Sequence, residues 1–169
     1  MRTNKFITYG FFINPEKFLP ATTGRRWYMN KPDGGLWGSP EDSEYGWKDW
    51  CLGEDFRTEK LQIWTKFVIL PGTKILEIDS LEDLKEAIRK FGKYDQRLEI
   101  NYLDWEHIKN SWYRGVFLSE RGNRQCHLPL EYGAPDLNGW DCESIVLFDL
   151  DCISITGYGR STNETSISS

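Results

Sequence analysis

Apolar residues fall in short runs whose period changes along the chain, and the changes mark its elements. Phe6-Ile7-Thr8-Tyr9-Gly10-Phe11-Phe12-Ile13 is β-branched and aromatic and is ended by Asn14-Pro15, which predicts an opening core strand. Leu61 to Ile69 alternates with period two, as a strand with one face inward does. Pro71-Gly72 then turns it into Lys74 to Ile78, giving two central strands or one interrupted strand. Arg114 to Leu118, Glu143 to Asp149 and Cys152 to Thr156 read as further strands, the last two joined by a tight turn near Leu150-Asp151.

Helical spacing appears in three places. Leu81, Leu84, Ala87, Ile88 and Phe91 form one apolar stripe behind a Ser80 cap, and Gly92 supplies the stop. Trp105, Ile108 and Trp112 share a face over Asp104 to Ser111. Trp47, Trp50 and their neighbours predict a short helix that begins at Asp42 or Ser43 and ends at Gly53, with Trp47 and Trp50 in the core.

Leu19 to Gly35 carries Pro20, Gly24, Pro32 and Gly34-Gly35, so it reads as loop around a short Trp27-Tyr28-Met29 strand. Arg121 to Gly139 reads as a long loop able to close over a ligand. From Gly157 onward the Gly/Ser/Thr/Asn composition is too polar to order itself. These elements predict one α+β domain over 1–158 and a flexible tail over 159–169.

Composition narrows the function classes. Eight Trp, eight Tyr and nine Phe in 169 residues mean that the core and any cleft are built largely of aromatic side chains. A net charge of −5 gives no global positive field, which argues against general nucleic-acid binding. Local cations remain: Arg25, Arg26 and Lys31 are placed to hold a small anion such as a pyrophosphate, or to be ordinary surface charge. No run is long enough to span a bilayer and the N-terminus lacks a signal-like apolar stretch, so a soluble cytoplasmic protein is expected. Cys51, Cys126, Cys142 and Cys152 form no C-x-x-C pair, and His107 and His127 lack metal-ligand spacing. The expectation is reduced thiols, no metal and a solvated His107.

One constellation stands out. Gly10 lets a ligand approach the main chain, Trp37 sits between glycines on Gly34-Gly35-Leu36-Trp37-Gly38-Ser39-Pro40, and Glu143 opens a late strand. Brought to one sheet face, they would stack a flat ring beside a carboxylate able to stabilise a developing cation, as cleavage of an N-glycosidic bond requires. The plainer alternatives are a Trp37 in the core and a Glu143 paired with Arg114 or Lys31.

The order of these segments resembles the ADP-ribosyltransferase superfamily, in its poly(ADP-ribose) polymerase and diphtheria-toxin-like branch. Thr8-Tyr9-Gly10 stands where that family has a His-Gly, Gly35-Leu36-Trp37-Gly38-Ser39 matches its second motif, and Glu143 to Asp149 its third. The resemblance implies a split β-sheet with short helices and NAD as substrate. It gives Gly10 main chain the nicotinamide amide, Trp37 the nicotinamide ring and Ser39 the support of that pocket. Glu143 would bond a ribose hydroxyl and stabilise the oxocarbenium-like state. Tyr9 departs from the family's His, and Asp141 competes with Glu143 for the inward position.

Lys31-Pro32-Asp33-Gly34-Gly35-Leu36-Trp37 and Trp140-Asp141-Cys142 also look like a family of bacterial and phage proteins with Lys-Pro-x-Gly-Leu-Trp and Trp-Asp-Cys signatures, in which Asp141 and Ser144 fit the pattern better than Glu143. The implied activity is mono-ADP-ribosyltransferase or NAD glycohydrolase, acting on a protein or nucleic-acid acceptor or on water. The alternatives are a nucleotide- or protein-binding module of the same fold without catalysis, and a toxin-like protein acting by protein contact alone.

Overall fold

The structure, a computed structural model, describes residues 3–25, 27–130 and 133–161. Among the described residues nine strands form, in chain order β1 (Lys5–Tyr9), β2 (Leu36–Pro40), β3 (Ile63–Ile69), β4 (Ile75–Ile78), β5 (Gly92–Asp95), β6 (Ile100–Leu103), β7 (Gly115–Leu118), β8 (Ser144–Leu147) and β9 (Ile153–Arg160). Four short helices accompany them: α1 (Trp47–Gly53), α2 (Leu81–Phe91), α3 (Trp105–Lys109) and α4 (Glu120–Cys126). Seven strands make one sheet in the order β4-β7-β8-β2-β1-β3-β9, antiparallel except for the β4–β7 pair, and β5 and β6 form a separate hairpin. The fold is α+β.

Every residue of β7 and β8 is buried, because both sheet faces are covered there and a strand so placed must be apolar throughout. On one face Val116, Leu118 and Val146 meet the α2 stripe of Leu84, Ala87, Ile88 and Phe91, together with Trp105, Ile108, Leu137 and Trp140. On the other, Phe117, Ile145 and Leu147 join Phe6, Leu36, Phe67 and Ile69 in a second core, where the Phe6 and Phe67 rings stack at 5.7 Å.

Ser80 caps α2 by accepting the Asp83 N–H, and Gly92 ends it, as its sequence predicts. Other expectations change. Residues 27–29 form a 3₁₀ turn rather than a strand, with Trp27 packed on Tyr102 at 4.6 Å. Residues 58–62 are also a 3₁₀ turn, so β3 begins only at Ile63, and β4 lies at the far edge of the sheet from it. The stretch read as loop from Arg121 contains most of α4, whose Ser119 cap accepts the Gly122 N–H at 3.0 Å. β9 runs through Arg160, beyond the expected boundary at 158, because its backbone pairs with β3 from Ile69↔Ile153 to Ile63↔Arg160, and main-chain pairing needs no apolar side chains. The rest of the expected tail, 162–169, lies outside the described residues.

One junction in the sheet is narrow. β1 pairs with β3 over five residues, from Lys5↔Val68 to Tyr9↔Trp64, but with β2 only at Phe6↔Pro40 and Ile7↔Ser39. Beyond Ile7 no further residues of the two strands are paired, which makes this seam the shortest register next to β1.

Candidate functional site

A cavity of about 330 Å³ lies at the seam, lined by Ile7, Thr8, Tyr9 and Phe11 on the β1 side and by Trp37, Gly38 and Ser39 on the β2 side. Lys31, Trp47, Arg57 and Ser144 complete it. The arrangement follows from strand periodicity. Trp37 and Ser39 are two apart on β2 and share a face, Ile7 lies directly across from Ser39, and Tyr9, two further along β1, shares that face. Gly38 points the other way: a Cβ there would meet the Phe67 ring at 3.0 Å and the Ile7 carbonyl at 3.2 Å, so any larger residue would have to push its neighbours back at the seam.

Five residues singled out in the sequence therefore meet: Tyr9, Lys31, Trp37, Ser39 and Ser144. The Trp37 indole packs edge-on against Trp140 at 4.7 Å and gives its N–H to the Gly34 carbonyl at 3.0 Å. Its polar atom is spent within the fold, and the ring is left to act as a surface. Lys31 Nζ lies 5.3 Å from the Trp37 ring centroid, bonds the Gly139 carbonyl and pairs with Asp141 at 3.7 Å. Burial, and after it the Asp49 and Glu41 carboxylates, raises the Tyr9 phenol above its ordinary value, so it stays a neutral donor at physiological pH.

Ser39 is a structural hub. It is 2% exposed, accepts the Trp47 N–H at 2.9 Å and donates to the Glu143 carbonyl at 3.0 Å. It thus satisfies the first N–H of α1, a role that Gly46 at the N-cap cannot fill. Ser144 donates to the Cys142 carbonyl at 3.0 Å, and its Oγ lies 3.3 Å from Cys142 Sγ. Burial pushes that thiol up to about 11, against the smaller opposing effect of its bonds to Ser144 and Ser39. Cys142 is a packed apolar group at neutral pH and no nucleophile.

Three expected site residues stand elsewhere. Gly10 has the left-handed φ of 95° that favours glycine, but its N–H is donated to the Ile63 carbonyl at 2.8 Å and so is not offered to a ligand. Glu143 is 3% exposed and does not line the cavity; its Oε2 accepts from Ser43 Oγ at 2.6 Å, while its main chain abuts the cavity through Ser39. Asp141 does not line the cavity and pairs with Lys31, which does. The plainer pairing of Glu143 with Arg114 does not occur, since Arg114 binds Asp149 and Asp151.

Other lining residues went unpredicted, Trp47 and Arg57 chief among them. Trp47 and Trp50, expected in the core, are half-buried and stacked at 5.0 Å as one wall, with Trp47 against the cavity. Arg57 comes from the turn after α1, where no periodicity marks it. Of the expected basic cluster, Lys31 lines the cavity, Arg25 does not, and Arg26 lies outside the described residues. His107 is exposed, against the Phe91 ring. Among the described residues no cluster of His, Cys, Asp or Glu is placed to hold a metal ion, and no helix is long and apolar enough to cross a membrane. Compared with known families, with curated proteins and with solved structures, the chain matches none of them.

Proposed function

We propose that this chain is an ADP-ribosyltransferase-like protein that takes NAD, or a related nucleotide, into the cavity at the β1–β2 seam. The supporting observation is convergence: Tyr9, Lys31, Trp37, Ser39 and Ser144 come from four separate segments and line one space at the seam. Aromatic faces from Tyr9, Trp37 and Trp47 suit a flat heterocycle, and Lys31 and Arg57 suit its phosphates.

The chemistry proposed for the site is cleavage of the nicotinamide–ribose bond. The bonding pair leaves with the nicotinamide nitrogen, a carboxylate steadies the sugar cation, and an acceptor nucleophile or water attacks the anomeric carbon. Glu143 is the acid proposed for that task, with Asp141 as the alternative. Calorimetry with NAD and an assay of nicotinamide release from labelled NAD test the two halves of the proposal. Absence of both heat and release overturns it.

A specific observation favours a second reading, a nucleotide-binding module of the same fold without transfer. The Glu143 carboxylate is engaged with Ser43 rather than with the cavity, and Tyr9 stands where the resembling family has His. Binding of NAD without release of nicotinamide selects this reading.

A further inference from the structure

Arg57 is the cavity residue whose placement costs the backbone most. Its φ is 49°, in the left-handed region, and Asp55, two residues earlier, has the same φ. Side chains other than glycine, asparagine and aspartate rarely adopt it, and such strain persists only where the surroundings hold it. Here they do. The Phe56 N–H bonds the Cys51 carbonyl at the end of α1, and the Phe56 ring packs on Trp50 at 5.4 Å and on Trp47 at 6.2 Å. The Arg57 guanidinium lies 5.2 Å from the Phe56 centroid. The strained turn thus sets an exposed cation beside the aromatic wall of the cavity.

The charge environment gives that cation a use. Among the described residues Arg57 forms no salt bridge, whereas Lys31, the other lining cation, is engaged by Asp141 and the Gly139 carbonyl. Among the described residues no carboxylate lines the cavity itself, and the acids that act on its Tyr9 are Asp49 and Glu41. A guanidinium held against a ring keeps its in-plane N–H groups for a planar fork of acceptors, the geometry that matches a phosphate.

We propose that Arg57 is the residue by which this cleft selects phosphorylated ligands. The preferred ligand is a flat heterocycle carrying a phosphate ester, a nucleoside 5′-phosphate or a dinucleotide, with the ring against Trp37 and Trp47 and the phosphate on Arg57. This role rests on the cleft being a nucleotide site, as proposed above, and adds which part of the ligand is read and by what.

The test is calorimetry on the full chain with two matched pairs, nicotinamide mononucleotide against nicotinamide riboside and AMP against adenosine. Arg57→Asn removes the charge at a position where Asn tolerates the backbone, and Arg57→Lys keeps the charge without the fork. In the wild-type chain the phosphorylated member of at least one pair binds roughly 10- to 100-fold more tightly. Arg57→Asn abolishes that gap and leaves the unphosphorylated partner's affinity unchanged, and Arg57→Lys restores part of it. No gap in the wild-type chain, or a gap that survives Arg57→Asn, overturns the assignment. NAD binding that is indifferent to Arg57→Asn sinks the role of Arg57 but not the NAD site. An Arg57-dependent gap without NAD binding keeps the role and removes NAD. Silence from every probe removes both.

Discussion

The Lys31 ammonium sits 5.3 Å from the centroid of the Trp37 ring, and it is there because Asn30 is tied down on three sides. Asn30 adopts a left-handed φ of 48°, accepts the Leu103 N–H at 2.7 Å through its side chain, and donates to the Asp136 carbonyl at 2.9 Å. Its own carbonyl accepts the Trp140 indole N–H at 2.8 Å. The same buried amide therefore sets both the cation and the ring that backs Trp37.

Lys31→Met removes a cation–ring contact, the bond to the Gly139 carbonyl and an ion pair whose side chains are 20% and 26% exposed, while keeping much of the side chain's bulk. The expected loss is about 1 kcal/mol, or about 3 °C in Tm for a chain of this length. Thermal unfolding checks it, and a rise in Tm would mean that the contact is not stabilising.

Ser39→Ala leaves the Trp47 N–H and the Glu143 carbonyl without their partner inside the protein. Stability should fall by about 1–3 kcal/mol, read as a lower urea midpoint with an unchanged slope. Because Ser39 starts α1, a Trp47 fluorescence change should accompany it.

Glu143→Gln keeps an oxygen to accept from Ser43 and so should fold. On the proposed chemistry it loses the charge that stabilises the sugar cation, lowering nicotinamide release by roughly 100- to 1,000-fold with little change in NAD affinity. Equal release by the variant would remove Glu143 from the reaction and leave Asp141 to be tried.

Gly38→Val places a branched side chain against the Phe67 ring and the Ile7 carbonyl, where even a Cβ meets them at 3.0 and 3.2 Å. A cost of about 1–3 kcal/mol is expected from overpacking, with loss of ligand binding as the seam is forced apart. Denaturant titration and calorimetry measure the two separately.

Two buried thiols set an alkaline limit. Burial raises Cys126 and Cys142 from the ordinary 9.0 to about 11. Between these values the unfolded chain has lost the proton that the folded chain keeps, so the unfolded state is favoured as pH climbs. The thiols' contribution should be level below pH 9 and fall from 9 towards 11. Cys126→Ala should flatten that fall, and a slope identical to wild type would count against burial as its cause.

Sequence pattern discloses those parts of the fold that repeat. The α2 stripe with its Ser80 cap and the apolar runs of β7 and β8 are legible because burial imposes a period on them. α4 is not, since it buries only Gly122 and Cys126 and is marked chiefly by Ser119. The β5–β6 hairpin hides for the same reason, with Leu103 its one buried residue. In the site, Trp37 and Ser39 are readable from their glycine-flanked strand, and Tyr9 from its place on β1. Arg57 and Trp47 are not readable, because what brings them to the cavity is the turn after α1 and the Ser39 bond that starts it. The position of the Glu143 carboxylate turns on Ser43, a hydroxyl one hundred residues away in sequence that no local pattern connects to it.

The two-pair seam between β1 and β2 also has a mechanical meaning. Beside the Phe6↔Pro40 and Ile7↔Ser39 pairing, the Glu41 N–H to Lys5 carbonyl bond ties the two strands, whereas the joints on either side are zipped over longer registers. Pulled apart, the molecule would tear along this line first and release two half-sheets. Any molecule wedged into the opening would act as a rivet across its weakest joint.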